Sequence, residues 1–282
     1  MITTYVRCGL GNQLFQIYTL ISYCLDNNLD FYIYNAKNNS DIARTFYWDN
    51  IFINLKKYFD NDKSYPIYQE PNFHFKKIPK YTKFLKHYNN LEGIKLSGFF
   101  QSYKYFNHNK IKINNIINIE CIKNSLNLGK SNNIDFNNTC SLHFRLGDYL
   151  TNINNFILPI NYYIDSLNKL INDTKKNDWN VLYFYEKDSS NYITEKIHIL
   201  KNKFKNLNFI SIDHKYFDWE QLLLMSLCRH NIIANSTFSW WGAYLNSYSD
   251  KIVFYPSKWF GIGKQHLNVD DLFLDEWNKI II

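Results

Sequence analysis

"DWEQLLLMSLCRHNIIANSTFSWWGAYLNSY", residues 218–248, reads as helix, strand and helix in immediate succession. "DWEQLLLMSLCRH" has the length of a helix, "NIIAN" is an apolar run of strand length, and "TFSWWGAYLNSY" is a second helix opened by hydroxyl residues. The alternation continues on both sides: "TCSLHFR" strand, "INYYIDSLNKLIND" helix, "NVLYFYE" strand, "NYITEKIHILKNKF" helix, "NLNFISID" strand and, at the far end, "KIVFYP" strand. Short apolar runs separated by amphipathic helices predict a doubly wound α/β domain.

The N-terminal residues repeat the pattern once: "ITTYVR" strand, "CGLGN" turn, "QLFQIYTLISYCLDNN" helix, "DFYIYN" strand, with Leu14, Ile17, Ile21 and Leu25 as one buried stripe. From Phe46 to Asn90, Pro66, Pro71 and Pro79 interrupt any period, predicting an irregular excursion over the domain edge. "GIKLSGFF" resumes as strand and "QSYKYFNHNKIKINNI" as helix. The polar "KNSLNLGKSNN" is the best linker, which divides the chain into domains 1–130 and 131–282. Two Rossmann-like domains facing across a cleft follow, with the cleft as ligand site.

A chain of 282 residues with 46% hydrophobic content is long enough for these cores. The net charge of +7 suits an anionic partner, but the basic residues form no run and no aromatic-interleaved patch, which argues against nucleic acid and leaves a phosphate-bearing small molecule. Five cysteines without C-x-x-C spacing argue against disulfides and zinc. No apolar run spans a bilayer and "MITTYVRCGL" is no signal peptide, so a cytoplasmic location without stable membrane insertion is expected.

Three strand-to-helix junctions carry chemistry. In "GLGNQLFQ", Gly9 and Gly11 let the backbone turn, and Asn12 is a candidate helix cap aimed at the ligand site. Leu14 breaks the G-x-G-x-x-G pattern and no P-loop lysine follows, which disfavours dinucleotide or ATP binding. In "SLHFRLGDYL", His143 and Arg145 share one face at a strand end; Arg145 can grip a phosphate with its planar fork and His143 can donate a hydrogen bond or move a proton, while Asp148 follows Gly147 in a turn. In "NSTFSWWGAYL", hydroxyls cap a helix or meet phosphate oxygens, and Trp240 and Trp241 pack it against the sheet. "DND" at Asp60 to Asp62 reads as solvated loop rather than metal site.

Together "GLGNQLFQ", "GFFQSYKYF", "HFRLGDY" and "LLLMSLCRHNIIANSTFSWWGAYL" resemble glycosyltransferase family 11, the α-1,2-fucosyltransferases, from Tyr5 to about Phe260. The resemblance implies a GT-B fold, a GDP-fucose donor, inversion at the anomeric carbon, a galactose O2 acceptor on a glycan and no metal or other cofactor. Carried onto this chain, Arg145, His143 and Asp148 are the catalytic candidates, with His143 and Asp148 both open as base. Gly9, Gly11, Asn12, Asn235, Ser236, Thr237, Phe238 and Ser239 surround the donor. Acceptor binding falls to the N-terminal domain and the donor nucleotide to the C-terminal one.

Two departures stand out. Relatives carry a second basic residue where this chain has Leu146, and an Asp-Asp pair where it reads "FYEKDSS", so Glu186 or Asp188 takes over guanosine recognition. The same departures allow the alternative of a weakly active or inactive sugar-nucleotide or glycan binder.

Overall fold

The computed structural model describes residues 1–34, 45–88, 91–126 and 134–282, apart from the Asp148 side chain. They form two compact units, Met1–Ser125 with Asn268–Leu274, and Leu126–Leu267 with Asp275–Ile282. The expected boundary at 130/131 falls in 127–133, outside the described residues. The expectation of an unbroken second domain is corrected by Asn268–Leu274, which packs with the first unit. Asp271 is the tie: its carbonyl accepts from Ser102 Oγ at 2.7 Å, and its carboxylate pairs with Lys104 and accepts from the Phe75 amide at 3.2 Å.

The first unit runs β1 (Ile2–Thr4), α1 (Leu10–Asn27), β2 (Ile33–Tyr34), β3 (Phe59–Asp60), β4 (Ile67–Gln69), α2 (Tyr81–Leu85), β5 (Ile94–Ser97), α3 (Lys110–Ile117) and α4 (Ile119–Ser125). Its pairings are all parallel, β1–β5–β4 in one sheet and β2–β3 in another, joined by a bridge between Ile2 and Phe31. The stretch expected to be an irregular excursion therefore supplies two strands. β4 is hidden from pattern reading because it is short, flanked by prolines and exposed at alternate positions, as an edge strand can be. The helix expected from Gln101 begins only at Lys110, after two 3-10 turns at Tyr103–Tyr105 and Asn107–Asn109.

Helix α1 is buried on nearly every side from Leu10 to Cys24, so it crosses the unit's core instead of presenting one stripe. Leu25, expected in that stripe, is 37% exposed. The helix stops at Asn28, in the left-handed conformation with φ 53°, whose amide bonds to the Cys24 and Leu25 carbonyls.

The second unit follows the sequence pattern closely: β6 (Thr139–His143), α5 (Ile160–Thr174), β7 (Asn180–Phe184), α6 (Ser190–Lys203), β8 (Asn208–Ser211), α7 (Asp218–Leu227), β9 (His230–Ile232), α8 (Thr237–Tyr244), β10 (Val253–Pro256) and β11 (Asn278–Ile280). The parallel sheet is ordered β11-β10-β9-β6-β7-β8. Counted from β6, this is the doubly wound order 3-2-1-4-5-6, and it reverses between β6 and β9. Cys140, Leu142, Val181, Phe209, Ile232 and Phe254 on the strands meet Tyr162, Leu167, Ile193 and Ile197 on the helices. Trp240 and Trp241 are fully buried; truncating either would cost about 3–5 kcal/mol.

One polar residue inside β9 has a structural purpose. Asn231 donates to Ser141 Oγ at 2.7 Å and to the Met225 carbonyl at 2.8 Å, and accepts from Asn246 Nδ2 at 2.8 Å, which locks β9 to β6 and α7. No helix among the described residues is long and apolar enough to cross a membrane.

Candidate functional site

The carboxyl ends of β6 and β9 flank the point where the strand order reverses, the place where open α/β sheets bind ligands. At the end of β6 the Phe144 amide still bonds to Phe184, at 2.9 Å, and the chain then leaves the sheet through Arg145, Leu146 and Gly147. Gly147 has φ +43°, a conformation glycine adopts without strain, and its amide donates to Ser189 Oγ at 3.4 Å.

Arg145 contacts Glu186 and Tyr149 among the described residues. Its Nη1 pairs with Glu186 Oε1, and its guanidinium lies 4.9 Å from the centre of the Tyr149 ring. Glu186 Oε2 accepts from the Leu146 amide at 3.2 Å, and Tyr149 donates to the Asn235 carbonyl at 2.9 Å. Glu186, Arg145, Tyr149 and Asn235 thus link the ends of β7, β6 and β9. Sequence pattern singles out Glu186, Arg145 and Asn235. It misses Tyr149, whose one signal is an aromatic side chain close after Arg145 in "HFRLGDY". Glu186, expected at the guanosine, is turned onto Arg145; Asp188 is exposed in the 3-10 turn Lys187–Ser189.

Leu146 is 2% exposed and belongs to the hydrophobic core, so an apolar side chain there serves packing. His143 is 5% exposed, and its Nδ1 is buried without a hydrogen-bond partner among the described residues. Burial, reinforced by the Arg145 charge, pushes its pKa down to about 3, which keeps the imidazole neutral at physiological pH. A neutral ring can donate one hydrogen bond and is a weak proton acceptor. The turn Gly147–Leu150 contains Asp148, whose side chain lies outside the described residues.

At the end of β9, Asn235 Nδ2 donates to the Phe156 and Trp259 carbonyls at 2.8 and 2.9 Å. Ser236 caps α8 by accepting from the Phe238 amide at 3.4 Å, and Ser239 Oγ accepts from the Ala234 amide at 3.2 Å. These three side chains shape the junction. Thr237 and Phe238, half-buried, complete it, and the Phe238 ring centre lies 5.7 Å from that of His143.

The junction between β1 and α1 differs from expectation in two respects. The left-handed residue is Cys8, with φ 67°, whereas Gly9 is extended and caps α1 without a side chain, and Gly11 lies inside the first helical turn. Asn12 is likewise not the cap. It is the third helical residue, and its Oδ1 accepts from Gln101 Nε2 at 2.8 Å.

The turn is braced by two glutamines that sequence motifs do not mark, although polar side chains on a buried helix are a signal. Gln13 donates to the Cys8 and Thr45 carbonyls at 2.8 and 2.9 Å, while Gln16 accepts from the Arg7 amide at 2.8 Å. Beside them, Glu70 Oε2 accepts from the Phe99 and Phe100 amides at 2.8 and 2.9 Å, and burial raises its pKa. Those bonds hold Phe100 at φ 52°, and a Cβ on Gly98 would collide with Glu70. Asp60 and Asp62 pair with Lys63 and Lys95, and among the described residues no three metal-ligating side chains of His, Cys, Asp or Glu come together.

The sequence matches the model of glycosyl transferase family 11 over residues 1–281. It is 36% identical over 141 residues to the O-antigen biosynthesis glycosyltransferase WbnK of Escherichia coli, a match covering 47% of this chain and 43% of that protein. It is 28% identical over 294 residues to an alpha-1,2-colitosyltransferase of Escherichia coli, covering 96% of each. The fold resembles that of the E. coli ADP-heptose lipopolysaccharide heptosyltransferase II, with a TM-score of 0.51 at 8% identity over 99% of this chain and 89% of that one. The chain is a GT-B protein and belongs to glycosyltransferase family 11.

Proposed function

We propose that this chain transfers L-fucose from GDP-fucose to O2 of a galactose residue in a glycan, forming an α-1,2 linkage with inversion and without a metal. The observation that supports it most is Arg145, a partly exposed guanidinium at the reversal point of a doubly wound sheet, beside a hydroxyl-capped helix. Negative charge accumulates on the diphosphate as the glycosidic bond breaks, and donors fixed at that position before reaction supply the largest stabilisation. Arg145 and the neutral His143 are the groups for this role. An oxocarbenium-like path makes light demands on a base, so a weak acceptor suffices. Acceptor binding is assigned to the first unit.

The test is incubation with GDP-fucose and a galactose-terminated oligosaccharide, reading GDP release and the linkage of the product. An α-1,2-fucosylated product supports the proposal. Tight GDP binding without transfer would leave a sugar-nucleotide-binding protein of the same fold. A second donor belongs in the assay because the colitosyltransferase relative matches 96% of this chain. Colitose lacks the 3-hydroxyl of fucose, and faster transfer from GDP-colitose would reassign the donor sugar.

A further inference from the structure

Glu186 lies two residues beyond β7, the second strand of its sheet in chain order. In doubly wound nucleotide-binding sheets an acidic residue near the end of that strand takes the ribose hydroxyls. Here the carboxylate is turned the other way, onto the Arg145 guanidinium and the Leu146 amide. Those are donors that a diphosphate seated at the end of β6 would need. The chain thus places its own anion on the donors that a ligand's diphosphate would use.

The arrangement is built to open. The Arg145 and Glu186 side chains are 20% and 28% exposed, and ion pairs in contact with water are weak. Arg145 also lies over Tyr149, a contact that does not involve the carboxylate. Gly147 presents no side chain to Glu186, and a Cβ there would reach only to 3.6 Å from it.

Resting on the reading of this site as one for a nucleoside-diphosphate sugar, we infer that Glu186 is a displaceable carboxylate that sets ligand specificity. Through their ion pair it neutralises Arg145. When a nucleoside diphosphate arrives, it yields Arg145 and the Leu146 amide to the phosphates and moves to the ribose diol. Inorganic pyrophosphate must displace the same carboxylate but offers it no diol in return. The site therefore rejects bare phosphates by an internal competitor, and a ligand with ribose compensates for the displacement.

The decisive property is a reversal of sign. Titration calorimetry on the wild type and Glu186→Gln would use pyrophosphate and, separately, GDP, ADP and UDP. Glutamine keeps the shape and an acceptor for the Leu146 amide while removing the charge. Pyrophosphate should bind several-fold tighter to the variant, and the best nucleoside diphosphate about tenfold weaker. Changes in the same direction for both would overturn the inference. A crystal structure of the wild type with the best-binding nucleoside diphosphate gives a reading that does not depend on the variant's folding: Glu186 within hydrogen-bond distance of the ribose supports it, and Glu186 still on Arg145 overturns it. Preference for ADP or UDP would refute the GDP donor while leaving the sign reversal to decide the role of Glu186. Failure of every nucleoside diphosphate to bind would refute both.

Discussion

Asn12 accepts a hydrogen bond from Gln101 at 2.8 Å, joining the first turn of α1 to the loop that follows β5. Because β1 and β5 are parallel neighbours, both side chains stand at the carboxyl end of one sheet. Neither closes the fold: Gly9 caps the helix, and Gln13 and Gln16 brace the turn. Two polar groups at a sheet's ligand end, with the turn braced by their neighbours, are the pair the proposed function places at the ligand.

Asn12→Ala should therefore lower transfer by more than tenfold while costing little stability. The loss leaves the buried Gln101 amide short of an acceptor, worth about 1–2 kcal/mol, or roughly 2–4 °C in melting temperature. Steady-state kinetics and thermal melts on one preparation separate the two effects. A large drop in melting temperature with normal activity per folded molecule would make the pair structural.

The glycines divide into two kinds, and alanine substitution should tell them apart. Gly9 is extended, with open space where a Cβ would stand, so Gly9→Ala should change stability by less than about 1 kcal/mol, the gain in chain entropy being offset by alanine's poorer fit at a helix cap. Gly147 is at φ +43°, so Gly147→Ala should destabilise by roughly 1–2 kcal/mol and weaken GDP binding by disturbing the loop that carries Arg145. Equal melting temperatures for the two variants would contradict these backbone assignments.

What the sequence discloses and what it conceals follow from range. The second unit is legible because each element there is long enough to show its period, and strand ends facing glycine or hydroxyl residues mark ligand positions. Arg145, His143 and the β9–α8 junction stand out in this way. Pairings between distant residues are not legible: nothing local in "FYEKDSS" says that Glu186 turns back to Arg145, or in "GLGN" that Cys8 rather than a glycine adopts positive φ. β4, three residues long, is defined by its ladder with β5, a contact no short window contains.

Two buried histidines predict an acid limb in stability. The pKa of His143 is lowered from 6.5 to about 3 and that of His230 from 6.5 to about 4, in both cases chiefly by burial. Below pH 6.5 the unfolded chain takes up protons that the folded chain refuses, so their contribution is complete above that pH and is lost as pH falls toward 4 and then 3. Each contributes up to about 1.4 kcal/mol per pH unit in its window. Melting temperature should fall steadily from about pH 6 to 5, and His143→Gln should reduce that slope. An unchanged slope in the variant would mean that His143 is protonated within the fold.

Activity is expected to survive EDTA, because in the proposed reaction Arg145 supplies the positive charge at the leaving group, and the two carboxylates of "DND" pair with lysines. The measurement is transfer rate after chelation and again after adding manganese or magnesium. Complete loss, restored by metal, would move the charge stabilisation from Arg145 to a cation.

Arg145→Lys tests the chemistry most directly. Lysine keeps the charge and can still pair with Glu186, so folding and the neutralisation of that carboxylate should persist. It loses the planar fork that grips two phosphate oxygens together and the flat face laid over Tyr149. A point charge should bind GDP tolerably yet stabilise a diphosphate gathering charge in the transition state poorly. The loss should appear mainly in kcat, about tenfold for each 1.4 kcal/mol of transition-state stabilisation removed, with a smaller change in GDP affinity. Kinetics at saturating donor and GDP titration on the same preparation decide between readings. A near-normal kcat would assign Arg145 to shaping the strand end, and a loss confined to GDP affinity would make it a ground-state binding group with no added role as the bond breaks.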